Sequence, residues 1–308
     1  MEIFNEIEEK YIKINGITLH TIITGSGEPL ILLHGFPDFW YGWKNIILGL
    51  KDKFQLIVPD MRGYNLSDKP DGIENYKLDI LIEDIKGLSE KLGFTKFNLA
   101  GHDWGGMVSW TLAEKYPEIL KKLIILNAPH PKIFRKLITK DNDQKKASGY
   151  IVRFLKEGES FLFENNFQAL QLSVFGTAKN KKAFSEFDKE KYIEAWSQPG
   201  ALTGGVNYYK ANRSYEEWSG IINVPTLVIF GMKDIFVLPK VLEGLEDFIK
   251  DLKIVRIEEL NYDTYDWIFT DLLTQKRFIY KGKDLDTYGL YVDLSAWSGH
   301  IFYIKRID

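Results

Sequence analysis

Asn98–Gly106 reads NLAGHDWGG, and the reading of this stretch decides the fold. Lys96–Ala100 (KFNLA) is short and apolar, which predicts a strand closed by Gly101. Met107–Tyr116 (MVSWTLAEKY) places apolar residues at Met107, Val108, Trp110, Leu112 and Ala113, which predicts a helix. Between them, glycines stand two places before and two places after Asp103. That pattern is the sharp strand-to-helix turn of a nucleophile elbow, where a side chain in place of glycine would clash. A serine at the centre would need a base to take its proton. A carboxylate, with a reference pKa of about 3.9, is already ionised at neutral pH. Asp103 therefore points to direct attack on an electrophilic carbon; the competing reading is an ordinary turn aspartate.

Working outward, Glu9–Ile14 and Ile17–Thr24 alternate apolar and polar residues around Asn15-Gly16, a hairpin signal. Pro29–Leu33 (PLILL), Gln55–Asp60 (QLIVPD) and Leu123–Leu126 (LIIL) are continuous apolar runs of the kind that fill buried parallel strands. Leu78–Leu92 has helical periodicity. Strands alternating with helices predict an α/β fold with a mostly parallel sheet and a site at the carboxyl ends of its strands. From residue 130 to 219 the chain turns helical, aromatic and lysine-rich. The sheet signal returns at Pro225–Phe230 (PTLVIF) and Lys253–Ile257 (KIVRI). The expected organisation is a core over 1–129 and 220–259, an inserted helical cap over 130–219, and an atypical β-rich tail over 260–308.

Composition narrows the class. The 308 residues are 45% hydrophobic with a formal net charge of −3, which gives no reason to expect nucleic acid or an anionic membrane as partner. With no cysteine, disulfides and thiolate metal sites are excluded. The acidic start MEIFNEIEEK does not read as a signal peptide, and no apolar run reaches membrane-spanning length, so the expected location is cytoplasmic. The expected state is a monomer or homodimer.

Six segments in order resemble one family. They are HGFPDFWYGW (34–43), PDMRGYNLSDKP (59–70), GHDWGG (101–106), NAPHP (127–131), GGVNYYKAN (204–212) and PTLVIFGMKD (225–234). Over residues 9–258 the chain resembles the α/β-hydrolase fold, in its epoxide hydrolase and haloalkane dehalogenase branch. The resemblance implies that Asp103 attacks an epoxide carbon and forms an alkyl-enzyme ester. It implies that the N–H groups of Phe36 and Trp104 form the oxyanion hole, and that Asp234 orients a histidine. Tyr150 and Tyr209 match the pair that hydrogen-bonds the epoxide oxygen. An epoxide opens to an alkoxide, a poor leaving group that needs a proton donor, whereas halide leaves as a stable anion. Dehalogenases of this branch often carry Asn where this chain has Phe36, which favours the epoxide over a haloalkane or haloacid. No cofactor or metal is needed, because the nucleophile is a carboxylate and the second reactant is a water molecule. His34 is expected to support the oxyanion loop, and Trp40 to line or buttress the pocket. His102, next to the nucleophile on a strand end, is expected to point away from it. Each side chain also has a plainer reading: Asp234 as a helix cap, Tyr150 and Tyr209 as packing, His20 and His130 as structural.

The tail departs from the family. The base histidine belongs in the loop after the last strand, and EELNYDTYDWIFTD (258–271) contains none. Downstream of Asp234 stands only His300, in SAWSGHIFYIKRID. Tyr265–Ile307 reads as short alternating strands and resembles, over a short stretch, the C-terminal β-domain tail of amylase-type glycoside hydrolases. Either a truncated hydrolase has acquired a foreign end, or a divergent end delivers His300 as the base. Without a base, the chain would be a catalytically impaired homologue that stops at the ester.

Overall fold

Apolar runs bounded by turn residues become strands, and the amphipathic runs between them become helices that cover the sheet. The computed structural model describes residues 7–178, 183–213, 218–258, 266–271, 277–280 and 302–307. In chain order, β1 (Glu8–Ile14) and β2 (Ile17–Thr24) form the hairpin, followed by β3 (Glu28–Leu33), α1 (Lys44–Leu50) and β4 (Phe54–Pro59). Next come α2 (Leu78–Lys91), β5 (Phe97–His102), α3 (Trp104–Lys115) and β6 (Leu120–Leu126). A helical segment follows: α4 (Pro131–Lys140), α5 (Asn142–Ala147), α6 (Gly149–Glu157), α7 (Glu164–Gln171), α8 (Glu186–Trp196) and α9 (Ala201–Ala211). The sheet is completed by β7 (Thr226–Gly231) and β8 (Leu252–Ile257).

These strands make one eight-stranded sheet in the order β1-β2-β4-β3-β5-β6-β7-β8. β1 and β2 are antiparallel, β2 meets β4 antiparallel, and every later pairing is parallel. The order doubles back at β3, so β4 and β5 leave on opposite sides of it, which opens a crevice at the carboxyl ends. The PLILL run explains the centre: Leu30–Leu33 are all buried, as is Leu99 of β5 beside them. Helix α3 is buried from Trp104 to Ala113, because it packs between the sheet and its neighbours.

Two boundaries differ from the sequence reading. β5 runs on through Gly101 and His102, since Gly101 stays paired with Leu33 and Ile125 on either side. α3 begins at Trp104, directly after Asp103, so the turn is tighter than the apolar pattern indicated. Glu258–Asp308 forms a second compact unit. In it β9 (Asp266–Asp271), β10 (Arg277–Tyr280) and β11 (Phe302–Ile307) make an antiparallel sheet in the order β10-β9-β11. The expected strand YGLYVDL and His300 lie outside the described residues. Among the described residues, no helix is long and apolar enough to cross a membrane.

Candidate active site

Asp103 sits at the tip of the turn with φ 51° and ψ −121°, a conformation that costs a non-glycine residue of order 1–3 kcal/mol. The flanking glycines make that turn possible. A Cβ at Gly101 would lie 2.4 Å from the Gly105 carbonyl oxygen, and one at Gly105 would lie 2.2 Å from that of Leu33. The strained geometry presents the Asp103 carboxylate at the carboxyl end of β5. Its Oδ1 accepts the Phe36 N–H at 2.7 Å, and the Trp104 N–H also hydrogen-bonds it. Burial pushes its pKa up; His102 and the two main-chain donors pull the other way, and Asp234 adds to the rise.

His34 stands behind this loop, fully buried. Its Nδ1 is 2.9 Å from the Gly35 carbonyl, and its Nε2 accepts the Met61 N–H at 3.0 Å. With Nε2 accepting, Nδ1 carries the proton, and burial holds the ring's pKa below the usual histidine value. The neutral ring therefore ties the Gly35–Phe36 loop to the segment after β4.

A cavity of about 570 Å³ opens over Asp103. It is lined by Phe36, Asp38, His102, Asp103, Asn127 and Asp234 of the sheet region, and by Tyr150, Phe154, Tyr192 and Tyr209 of the helical segment, among others. Asp234 follows β7. Its Oδ1 accepts the N–H groups of Phe236 and Val237 at 2.8 and 3.0 Å, and its Oδ2 accepts the Asn127 side-chain N–H at 2.6 Å. Asp234 is not a helix cap: Phe236 and Val237 lie in a loop, and the next helical turn starts only at Pro239 with Leu238 at its cap, so one oxygen pins that loop and the other bonds across to Asn127. Tyr150 of α6 and Tyr209 of α9 face each other with ring centres 6.1 Å apart. Tyr209 packs edge-on against Trp104 at 5.0 Å and against Phe36 at 6.0 Å. Burial, together with the negative charge of Asp103, raises the pKa of both phenols, so both keep their protons far into alkaline pH.

The structure thus brings Asp103, Asp234, Tyr150, Tyr209 and Phe36 to one cavity, with the Trp104 N–H on the Asp103 carboxylate. One expectation is corrected. His102 does not turn away from the site: with the kink at Asp103, both residues line the cavity. Of the two places expected for Trp40, the structure shows the buttress: it is buried behind the wall, where its ring packs edge-on against Tyr41 (5.5 Å), which does line the cavity. His20 and His130 are buried elsewhere: His20 bridges Asp60 and Glu9, and His130 bonds the Gly220 carbonyl.

Sequence reasoning missed how the helical segment grips the loop that carries Phe36. Tyr192 of α8 donates to Asp38 Oδ1 at 2.9 Å, and Trp196 Nε1 donates to the Pro37 carbonyl at 2.6 Å. Tyr41 and Lys44 both donate to Asp188 at the start of α8, an ion pair that holds the Asp188 carboxyl well below the usual carboxylate range. Nothing in the spacing of Asp38 and Tyr192, 154 positions apart, announces the contact. Burial raises the Asp38 pKa, opposed by His34, the Phe39 N–H and His102.

Comparison with known proteins agrees with this fold. Residues 28–269 match the family model described as alpha/beta hydrolase fold. The chain is 40% identical over 260 residues to the AB hydrolase superfamily protein YfhM of Bacillus subtilis, covering 82% of this chain and 91% of that one. It is 37% identical over 249 residues to epoxide hydrolase 4 of Mus musculus, covering 78% and 69%. The crystal structure of Bacillus megaterium epoxide hydrolase with an inhibitor superposes with a TM-score of 0.76. That pair shares 34% identity and covers 80% of this chain and 91% of the other.

Proposed function

The chain belongs to the α/β-hydrolase fold family as an epoxide-hydrolase-like hydrolase, and from that premise we propose that it opens epoxides to vicinal diols through an ester on Asp103. The observation that carries this reading is the convergence of the Asp103 carboxylate and the Tyr150 and Tyr209 phenols on one cavity. Asp103 attacks an epoxide carbon, and the C–O bond breaks toward Tyr150 and Tyr209. One phenol gives its proton to the departing oxygen, so the alkoxide is never released as an anion. The ester carbonyl then lies where the Phe36 and Trp104 N–H groups now hold the carboxylate. Those donors stabilise the oxyanion when water attacks. The phenolate recovers its proton as the diol leaves.

Hydrolysis of the ester needs a base; on the full-cycle reading His300 supplies it and Asp234 orients it. A second reading has its own support: no histidine occurs in residues 258–271, and the Asp234 Oδ2 is engaged by Asn127. On that reading the chemistry stops at the ester. A haloalkane substrate is the third reading; it would make the two phenols unnecessary. Soluble protein is incubated with an aryl epoxide, and intact mass and diol are followed together. Diol far beyond one equivalent, lost in His300→Gln, supports the full cycle. A stable adduct on Asp103 with no further diol supports the second reading. Neither adduct nor diol removes the epoxide reading, and a chloroalkane then tests the third.

A further inference from the structure

Helix α9 carries Tyr209, and it lies unusually close to the core at two consecutive glycines. A Cβ at Gly204 would fall 2.4 Å from the Gly63 carbonyl oxygen and 2.8 Å from the Gly63 Cα. A Cβ at Gly205 would fall 2.4 and 2.6 Å from two ring carbons of Phe36. Carbon–carbon contacts are most favourable near 3.5–4.0 Å, so only glycine lets the helix approach this far. The approach is held by polar contacts along α9. Tyr208 donates to the Arg62 carbonyl at 2.8 Å, Asn212 donates to the Tyr76 carbonyl at 2.9 Å, and Asn212 Oδ1 accepts the Leu78 N–H at 2.9 Å.

Phe36 has two roles that meet here. Its N–H grips Asp103 Oδ1 at 2.7 Å. Its ring is wedged between Gly205, Tyr209 (6.0 Å), Phe154 (5.4 Å) and Tyr64 (6.5 Å). We propose that Gly205 is a positioning residue that registers the acid and the oxyanion donor against each other: one backbone-to-ring contact sets both the reach of Tyr209 and the place of the Phe36 peptide. A methyl group at 205 must push the ring or the helix by about 1 Å to reach ordinary contact distance. A misplacement of that size costs on the order of 100-fold where reacting groups must align.

The rate readout rests on the epoxide-opening reading; a second readout, amide exchange at Phe36, does not. Wild type, Gly205→Ala, Phe36→Val and the double variant are compared for single-turnover formation of the Asp103 adduct with an aryl epoxide. Gly205→Ala is expected to lower the rate at saturating epoxide by about 10–100-fold with little change in half-saturating concentration. In the Phe36→Val background, which removes the obstructing ring carbons, the same change should cost less than about 3-fold, the non-additivity expected of residues in contact. Protection of the Phe36 amide should fall in Gly205→Ala and not fall further when that change is made in Phe36→Val. An unchanged rate in Gly205→Ala overturns the proposal, as does an equal loss in both backgrounds or an effect on half-saturation alone. If the wild type forms no adduct, the epoxide reading fails, and Phe36 exchange alone decides: exchange unaltered by Gly205→Ala overturns the proposal. If Gly205→Ala does not fold, folding should return in the Phe36→Val background, and failure to return also overturns it.

Discussion

Replacing Tyr150 and Tyr209 separates epoxide opening from every other use of Asp103. Tyr150→Phe and Tyr209→Phe each remove one hydroxyl and leave the rings packed. Tyr209 keeps Trp104 and Phe154 at 5.0 Å, and Tyr150 keeps Phe236 at 5.4 Å and Phe154 at 5.6 Å. Stability should therefore change by only about 1 kcal/mol. The chemistry should change far more. A positioned general acid is worth about 10²–10⁴-fold, or roughly 3–5 kcal/mol of the barrier. Because the rings stand 6.1 Å apart in the cavity that Asp103 lines, each hydroxyl should partly cover for the other. A loss of about 10–100-fold is expected for each single variant, and about 10³-fold or more for the double. Since both phenols have raised pKa values, the wild-type rate should show no decline up to about pH 10. The assay is the rate of the mass increase on Asp103 with an aryl epoxide, set beside the same measurement with a chloroalkane. Two results would refute the reasoning: a double variant that still reacts within 10-fold of wild type, or an equal loss with the chloroalkane, where no alkoxide forms.

Three further outcomes are expected. Attack needs ionised Asp103, and burial raises its pKa, so adduct formation should fall with decreasing pH at a midpoint above the ordinary aspartate value; a midpoint at or below that value contradicts the desolvated site, and Asp103→Asn should give no adduct at any pH. Arg62 and Asp84 form a buried two-point ion pair at 2.7 Å through both contacts, so Arg62→Met should cost about 3–5 kcal/mol in urea unfolding by stranding the Asp84 charge; Arg62→Met with Asp84→Leu should recover most of it. Burial lowers the pKa of His130 to about 4, so between pH 6.5 and 4 the unfolded chain binds a proton that the folded chain refuses. Folding stability should drop by up to about 3 kcal/mol across that window from this residue, and His130→Phe should flatten the slope.

How much of this was legible in the sequence depended on range. The strands and the elbow are local: PLILL needs only its own apolar run, and Gly-His-Asp-Trp-Gly needs only its spacing, so both were readable. Tyr209 was singled out only through the family resemblance of GGVNYYKAN, and the structure puts it on the cavity wall. The Asp38–Tyr192 and Trp196–Pro37 bonds were not legible, since they pair residues more than 150 positions apart and carry no periodicity. Nor was the position of His102, because alternation along a strand predicts opposite faces and the positive φ at Asp103 breaks that rule. Asn127 lies in the NAPHP segment, yet its bond to Asp234 depends on two strand ends meeting in the sheet order.

The ties between α8 and the Phe36 loop also bear on recombination with relatives. Exchanging residues 130–219 alone would sever Tyr192 from Asp38, Trp196 from Pro37, and Asp188 from Tyr41 and Lys44. The loop over 36–44 would then keep its own sequence and lose the partners that hold it. The helical segment and that short loop act as one unit for exchange. Chimeras built with crossovers on both sides of 36–44 should keep the Phe36 N–H on Asp103, while those that swap the helices alone should fold around a misaligned site.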